Sequence, residues 1–342
     1  MIDTILTPLD GSRLAEHGLA TACKLARETG ATLLLLTATP FSLLADSAAR
    51  EKERIALRKR QRYLQRRRQS LESQGFTVRT RVMPGDPVSA ILFTAEEERT
   101  GLISLTSHGH TGLRHVLLGS VAEAVARESL SPLLLTPAGA RSIPPEGTSS
   151  QRMLVALDGT PFAETALEFL LANRLGRTGE LLLLRAVTNE PIWPLPRGLA
   201  GNEAVTIYRE AQEETERRRQ DADEYLRALG AARLNGRHWK PLVALDNPAG
   251  AILEAARTGK ADLIVLVTHA RHGLDRLLHG SVAHEVLKHA ETPVLLLHGP
   301  AELEKTSRAG HTTTRSTLDE EIGEPITASH LLHEAYAGER SP

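Results

Sequence analysis

The chain repeats itself, and no other feature constrains its fold as strongly. Leu9-Asp10-Gly11-Ser12 returns as Leu157-Asp158-Gly159-Thr160, 148 residues later, and Ala15-Glu16 returns as Ala163-Glu164 at the same offset. Further on, Gly119-Ser120-Val121-Ala122 returns as Gly280-Ser281-Val282-Ala283, 161 residues later. Ser131-Pro132-Leu133-Leu134-Leu135 returns as Thr292-Pro293-Val294-Leu295-Leu296 at that second offset. Colinear matches of this kind mark a duplicated domain. The two offsets differ by 13 residues, so the second copy carries an insertion, placed around 188–210 in a stretch with prolines and glycines. A length of 342 residues leaves room for two domains. The expected division is a first domain over 1–137, a linker over 138–150 and a second domain over 151–299. The linker is dominated by Pro, Gly and Ser. The polar remainder, 300–342, is expected to be a mostly disordered tail with room for a short helix at 328–336.

Within each copy, strand and helix signals alternate. In the first, 4–9 reads as a strand and 14–29 as a helix. Strands are expected again at 32–38, 76–83, 102–106 and 132–136. These runs are almost continuously apolar, the pattern of strands buried on both faces of a parallel sheet. Helices must then cover both faces. The expected fold class is α/β: two tandem doubly wound domains, Rossmann-like, each with a five-stranded parallel sheet. Such sheets take ligands at the carboxyl ends of their strands, near the point where strand order reverses.

Charge and cysteine content narrow the function classes. Lys and Arg number 41 against 42 Asp and Glu, so nucleic acid is not an expected partner of the whole protein. The lone cysteine, Cys23, sits in an apolar helical pattern and reads as a small buried hydrophobe. One cysteine builds neither an intrachain disulfide framework nor a cysteine zinc cluster. No apolar run approaches the roughly 20 residues of a membrane span, and no leader pattern precedes the first strand, so a cytoplasmic protein without a membrane partner is expected. Residues 50–68 hold ten basic side chains, with Leu57, Leu64 and Leu71 seven apart. This is a helix with one apolar seam, and its basic face reads as solvated. An anionic partner is the alternative. His108, His110, His115, His269 and His272 match no metal-ligand spacing.

Two features could carry chemistry. Asp10 closes the first strand just before a helix, and Asp158 repeats the placement. Such a carboxylate can cap the helix or accept from a ligand amino group in the crevice. Thr106-Ser107-His108-Gly109 is followed, nine residues on, by Gly119-Ser120. Gly109 lets a backbone approach a phosphate closely. Gly119-Ser120 opens a helix whose N–H groups attract anions. The same residues could equally make an unliganded turn and cap.

Together these motifs resemble the universal stress protein family: the first-strand Asp, the Ser-His-Gly loop, the Gly85-Asp86-Pro87 turn, the Gly-Ser-Val-Ala turn and the closing Ser-Pro-Leu-Leu-Leu strand. The family's ATP-binding pattern is Gly-x2-Gly-x9-Gly-Ser/Thr. The spacing from Gly109 to Gly119 matches it, but Thr106 stands where the first glycine belongs. The resemblance implies an adenine nucleotide such as ATP, with or without Mg, as ligand. It implies that Asp10 and Ala38 meet the adenine, that Thr106 lies near the ribose, and that Gly109, Gly119, Ser120 and Val121 line the phosphates. In the second copy Asp158, Gly280 and Ser281 remain, but Ala270 replaces the loop glycine and His279 the apolar Leu118, so weaker binding is expected there. The resemblance also implies that the last strands of the two copies meet as edges, and a homo-oligomer is open. The leading function is a stress-response or signalling protein that binds adenine nucleotide in its first domain. The alternatives are a structural pair that binds none and a weak nucleotide hydrolase. No P-loop lysine and no nucleophile–base pair at a telling spacing favours catalysis.

Overall fold

Alternation inside the apolar runs divides them between two cores, one on each face of a sheet. The computed structural model describes residues 1–39, 46–107, 119–140, 151–188, 201–268 and 282–298, the side chains of 201–204 excepted. The first repeat runs β1 (Thr4–Pro8), α1 (Arg13–Thr29), β2 (Thr32–Thr39), α2 (Ser47–Glu72), β3 (Val78–Pro84), α3 (Pro87–Glu97), β4 (Leu102–Ser107), α4 (Ser120–Glu128) and β5 (Leu133–Pro137). The second runs β6 (Arg152–Leu157), α5 (Pro161–Ala172), β7 (Glu180–Val187), α6 (Gly201–Arg233), β8 (His238–Leu245), α7 (Pro248–Thr258), β9 (Leu263–Thr268), α8 (Val282–His289) and β10 (Val294–His298). In β2, Leu33 and Leu35 enter one core while Leu34 and Leu36 enter the other. Successive side chains leave a strand on opposite faces, so a continuous apolar run needs cover on both. Helices α1, α2, α5 and α6 supply it on one face, α3, α4, α7 and α8 on the other.

Each repeat is a five-stranded parallel sheet. The strand order is β3-β2-β1-β4-β5 in the first repeat and the equivalent β8-β7-β6-β9-β10 in the second. The two sheets join where β5 pairs antiparallel with β10, making ten strands in one sheet. Leu134 sits in register with Leu295 across this seam, and both are fully buried. Residues of both repeats contribute to each core. Strand order reverses at β1, whose neighbours are β2 and β4. The crevice for a ligand is expected at the carboxyl ends of β1 and β4.

Three local features differ from the sequence expectation. Strand β3 starts at Val78, because the Phe76 amide donates to Leu71 O and closes α2 instead of entering the ladder. Part of the inserted stretch is helix: α6 has 33 residues against 26 in α2 and starts at Gly201, beyond the last helix-breaking proline, Pro196. The stretch 189–200, the linker at 141–150 and the tail at 300–342, with its expected helix at 328–336, lie outside the described residues. Third, the basic face of α2 is not uniformly solvated. Arg54 and Arg68 do pair within the helix, with Glu51 and Glu72. Arg67, however, reaches Glu16 of α1 at 2.5 Å, and Tyr63 donates to the same carboxylate at 2.9 Å. Burial, then the Glu16 carboxylate, pushes the Tyr63 phenol up to about 12. Tyr225 of α6 makes the same bond to Glu164 of α5 at 3.0 Å, so the tie between first and second helix is built twice. Cys23 packs against the core, and burial pushes its thiol up to about 11.

Because both cores run through the seam, the two repeats are expected to unfold together. Leu134→Ala should lower stability by about 2–5 kcal/mol, the range for truncating a buried leucine. Urea denaturation followed by circular dichroism should show one transition, shifted as a whole. Two separable transitions, with only the first moved, would show that the repeats fold independently.

Candidate functional site

The carboxyl end of β1 turns sharply into α1. Gly11 takes a left-handed φ of 85°, a conformation that costs a side-chain-bearing residue about 1–2 kcal/mol. Asp10 accepts from the Ser12 amide at 2.8 Å, and Ser12 Oγ caps α1 by accepting from the Ala15 amide at 3.1 Å. The cap is therefore Ser12, and Asp10 fixes the loop that presents it. The second repeat builds the same corner. Asp158 accepts from the Thr160 amide at 2.8 Å and hydroxyl at 2.6 Å, Thr160 caps α5, and Gly159 has φ 90°.

Beside this corner in the first repeat lies a cavity of about 860 Å³. Its wall brings together Asp10, Ala38, Thr106, Gly119, Ser120 and Val121, residues that lie far apart in the chain. The turn Gly85-Asp86-Pro87 adds a further wall, and Asp86 caps α3 by accepting from the Ser89 amide at 2.9 Å. Helices α1, α2 and α3 each have a side-chain cap, from Ser12, Asp46 and Asp86. Helix α4 has none: its cap residue is Gly119, and its first turn lines the cavity. A helix start with no side-chain cap favours an anion there. Gly109 lies outside the described residues, as do His108, His110 and His115.

Thr106 lines the cavity, but its hydroxyl has structural duties. It donates to Leu14 O at 3.0 Å and accepts from the Gly18 amide at 3.1 Å. A Cβ on Gly18 would stand 2.5 Å from Thr106 Oγ1. The threonine in place of a loop glycine is thus matched by a glycine in the facing helix. In the second repeat the equivalent positions hold Ala166 and Val267.

The second crevice is altered at a position that the sequence motifs did not flag. Arg185 stands where Thr37 lines the first cavity. Its guanidinium lies across the Asp-Gly corner, 2.8 Å from where a Cβ on Gly159 would be, and 5.1 Å from the Tyr225 ring centre. Gly280, Ser281, Ala270, His269, His272 and His279 lie outside the described residues. A second unflagged residue is Arg60 of α2, which donates to Asp10 O and stands in the wall of the first cavity. Helical periodicity put it on a basic face, and only the path of α2 over the β1 corner shows otherwise.

Sheet order and Asp-Gly corner are those of a doubly wound, Rossmann-like α/β domain made twice. The universal stress protein family model matches residues 1–137 and again 149–298, so the chain belongs to the universal stress protein family, in its tandem form. A universal stress protein of Mycobacterium tuberculosis is 27% identical over 222 residues, covering 64% of this chain and 68% of its own. One from Methanocaldococcus jannaschii is 29% identical over 135 residues, 38% of this chain and 79% of its own. The crystal structure of a universal stress protein from Archaeoglobus fulgidus superposes with a TM-score of 0.64 at 20% identity, covering 87% of this chain and 99% of that one. Among the described residues no helix is long and apolar enough to cross a membrane.

The Gly18–Thr106 contact makes a direct prediction. Gly18→Ala should cost about 1–3 kcal/mol, as overpacking does. Adding Thr106→Ala should recover most of it, because the obstructing hydroxyl is gone. A thermal-melting double-mutant cycle reads this coupling. Additive losses would mean that the two side chains do not compete for the same space.

Proposed function

We propose that the first repeat binds an adenine nucleotide such as ATP, with or without Mg²⁺, and that the second repeat binds it weakly or serves as a structural partner. The observation that carries the reading is the cavity itself. Its wall holds both the Asp10 corner with Ala38 and the start of α4 at Gly119-Ser120, where no side chain makes a capping hydrogen bond. A cavity of about 860 Å³ lies within the usual range of small-ligand pockets. In this reading Asp10 and Ala38 meet the base, Thr106 lies near the ribose, and Gly109, Gly119, Ser120 and Val121 meet the phosphates. Asp158, Gly280 and Ser281 form the weaker counterpart. Arg185 supports the asymmetry, because a guanidinium packed on Gly159 takes space that Thr37 leaves open in the first repeat.

We assign binding and no bond-breaking step. In this proposal the protein acts in stress response or signalling, in the cytoplasm. A second reading, a structural pair acting through protein contacts, draws on the seam: the pairing of β5 with β10 covers two edges that would otherwise offer open hydrogen-bonding groups. In this proposal the seam holds the repeats together within one chain.

Calorimetric titration with ATP separates the readings. Asp10→Ala should weaken binding by about 1.5–3 kcal/mol, the range for a hydrogen bond involving a charged group. Asp158→Ala should change the affinity little. Melting curves of the unliganded variants check that loss of the Asp10–Ser12 bond has not unfolded the corner. Loss of binding in Asp158→Ala alone would move the site to the second repeat. A parent that takes up no ATP at millimolar concentration would leave the structural pair as the better reading.

A further inference from the structure

Arg60 is the only cationic side chain in the described wall of the first cavity, where the other charged groups are Asp10 and Asp86. It is half-buried, and one guanidinium nitrogen, Nη1, donates to Asp10 O. A guanidinium has five N–H donors, so among the described residues this bond leaves most of them unused. Among the described residues Arg60 makes no ion pair. Arg54, Arg67 and Arg68 of the same helix do, with Glu51, Glu16 and Glu72. The remaining donors of this partly exposed side chain are open to a ligand in the crevice. The bond to Asp10 O fixes the guanidinium in place beforehand, so that a ligand loses little by ordering it.

The second repeat builds the same frame without an arginine at this position. Tyr63 and Tyr225 make the same bond to the first helix of their repeats, and they align α2 with α6 at a spacing of 162 residues. At that spacing the counterpart of Arg60 is Ala222, which is fully buried. The second repeat brings a guanidinium to the same Asp-Gly corner from another element, Arg185 of β7, and packs it on Gly159 and Tyr225. In the first repeat the corner arginine stands in the wall of the described cavity.

We propose that Arg60 is a ligand-contacting residue of the first crevice, recognising the nucleoside part of the nucleotide from the Asp10 end. The inference rests on the nucleotide reading of that cavity. Arg60 donates to acceptors of the base or the ribose, while the phosphates lie toward the start of α4. Because the contact is to the nucleoside, its loss is the same whatever the number of phosphates.

The test titrates ATP, AMP and adenosine into the parent, Arg60→Gln and Arg60→Lys. Arg60→Gln should weaken all three by a common factor of about tenfold to a hundredfold, the range for a hydrogen bond to a charged group. Arg60→Lys keeps the charge but loses the planar fork, and should recover only part of the affinity. The unliganded Arg60→Gln protein should melt with the parent, which separates a lost contact from a disturbed fold. Unchanged affinities would overturn the role of Arg60 and leave the nucleotide reading intact. A loss that grows from adenosine to ATP would overturn it too, by placing the guanidinium on the phosphates. A parent that binds none of the three would overturn the nucleotide reading, and the role of Arg60 with it.

Discussion

The structure depends on strands that are apolar on both faces. Leu33 to Leu36 of β2 are all essentially inaccessible to solvent, and Leu181 to Leu184 of β7 repeat the pattern. At about 1.5–3 kcal/mol for each large side chain buried, such a sheet is stable only between two layers of helices. A five-stranded sheet still has two open edges. The antiparallel join of β5 to β10 removes one edge from each repeat, and the two cores then continue across the chain. Crossing order follows from the same constraint, because parallel strands need helical returns, and the reversal at β1 opens the crevice.

The duplicated frame carries two different corners. In both, a left-handed glycine follows the first-strand aspartate, and that aspartate holds a capping Ser or Thr two residues on. The frame is therefore conserved within the molecule down to single hydrogen bonds. The differences lie in what fills the space above it. Thr37, Arg60 and Gly18 with Thr106 shape an open cavity in the first repeat. Arg185, Ala222, and Ala166 with Val267 stand at the matching positions in the second. Each copy supplies an edge strand to the shared sheet, so the frame is kept while the side chains above the two corners differ.

Much of this was legible in the sequence. The offsets of 148 and 161 expose the repeat, and the unbroken leucine runs expose the parallel sheet, because both follow from local pattern. Asp10, Thr106, Gly119 and Ser120 come from position and motif spacing, Ala38 and Val121 from the family resemblance, and the cavity wall brings all six together. What periodicity could not reveal was which side of the pattern meets which neighbour. Arg60 and Arg67 look like two more charges on a solvated helix face until the path of α2 across α1 is known. Arg185 follows four leucines in β7, and that charge was the available signal of an altered crevice. Gly18 matters only because Thr106, 88 residues later, packs on it.

The central claim is that two copies of one domain yield a single strong nucleotide site. Equilibrium dialysis of the whole protein against radiolabelled ATP measures that directly, as a number of nucleotides per chain. The account predicts one equivalent at saturation of the tight phase, with any second equivalent far weaker. Two equivalents of equal affinity, or none, would contradict it.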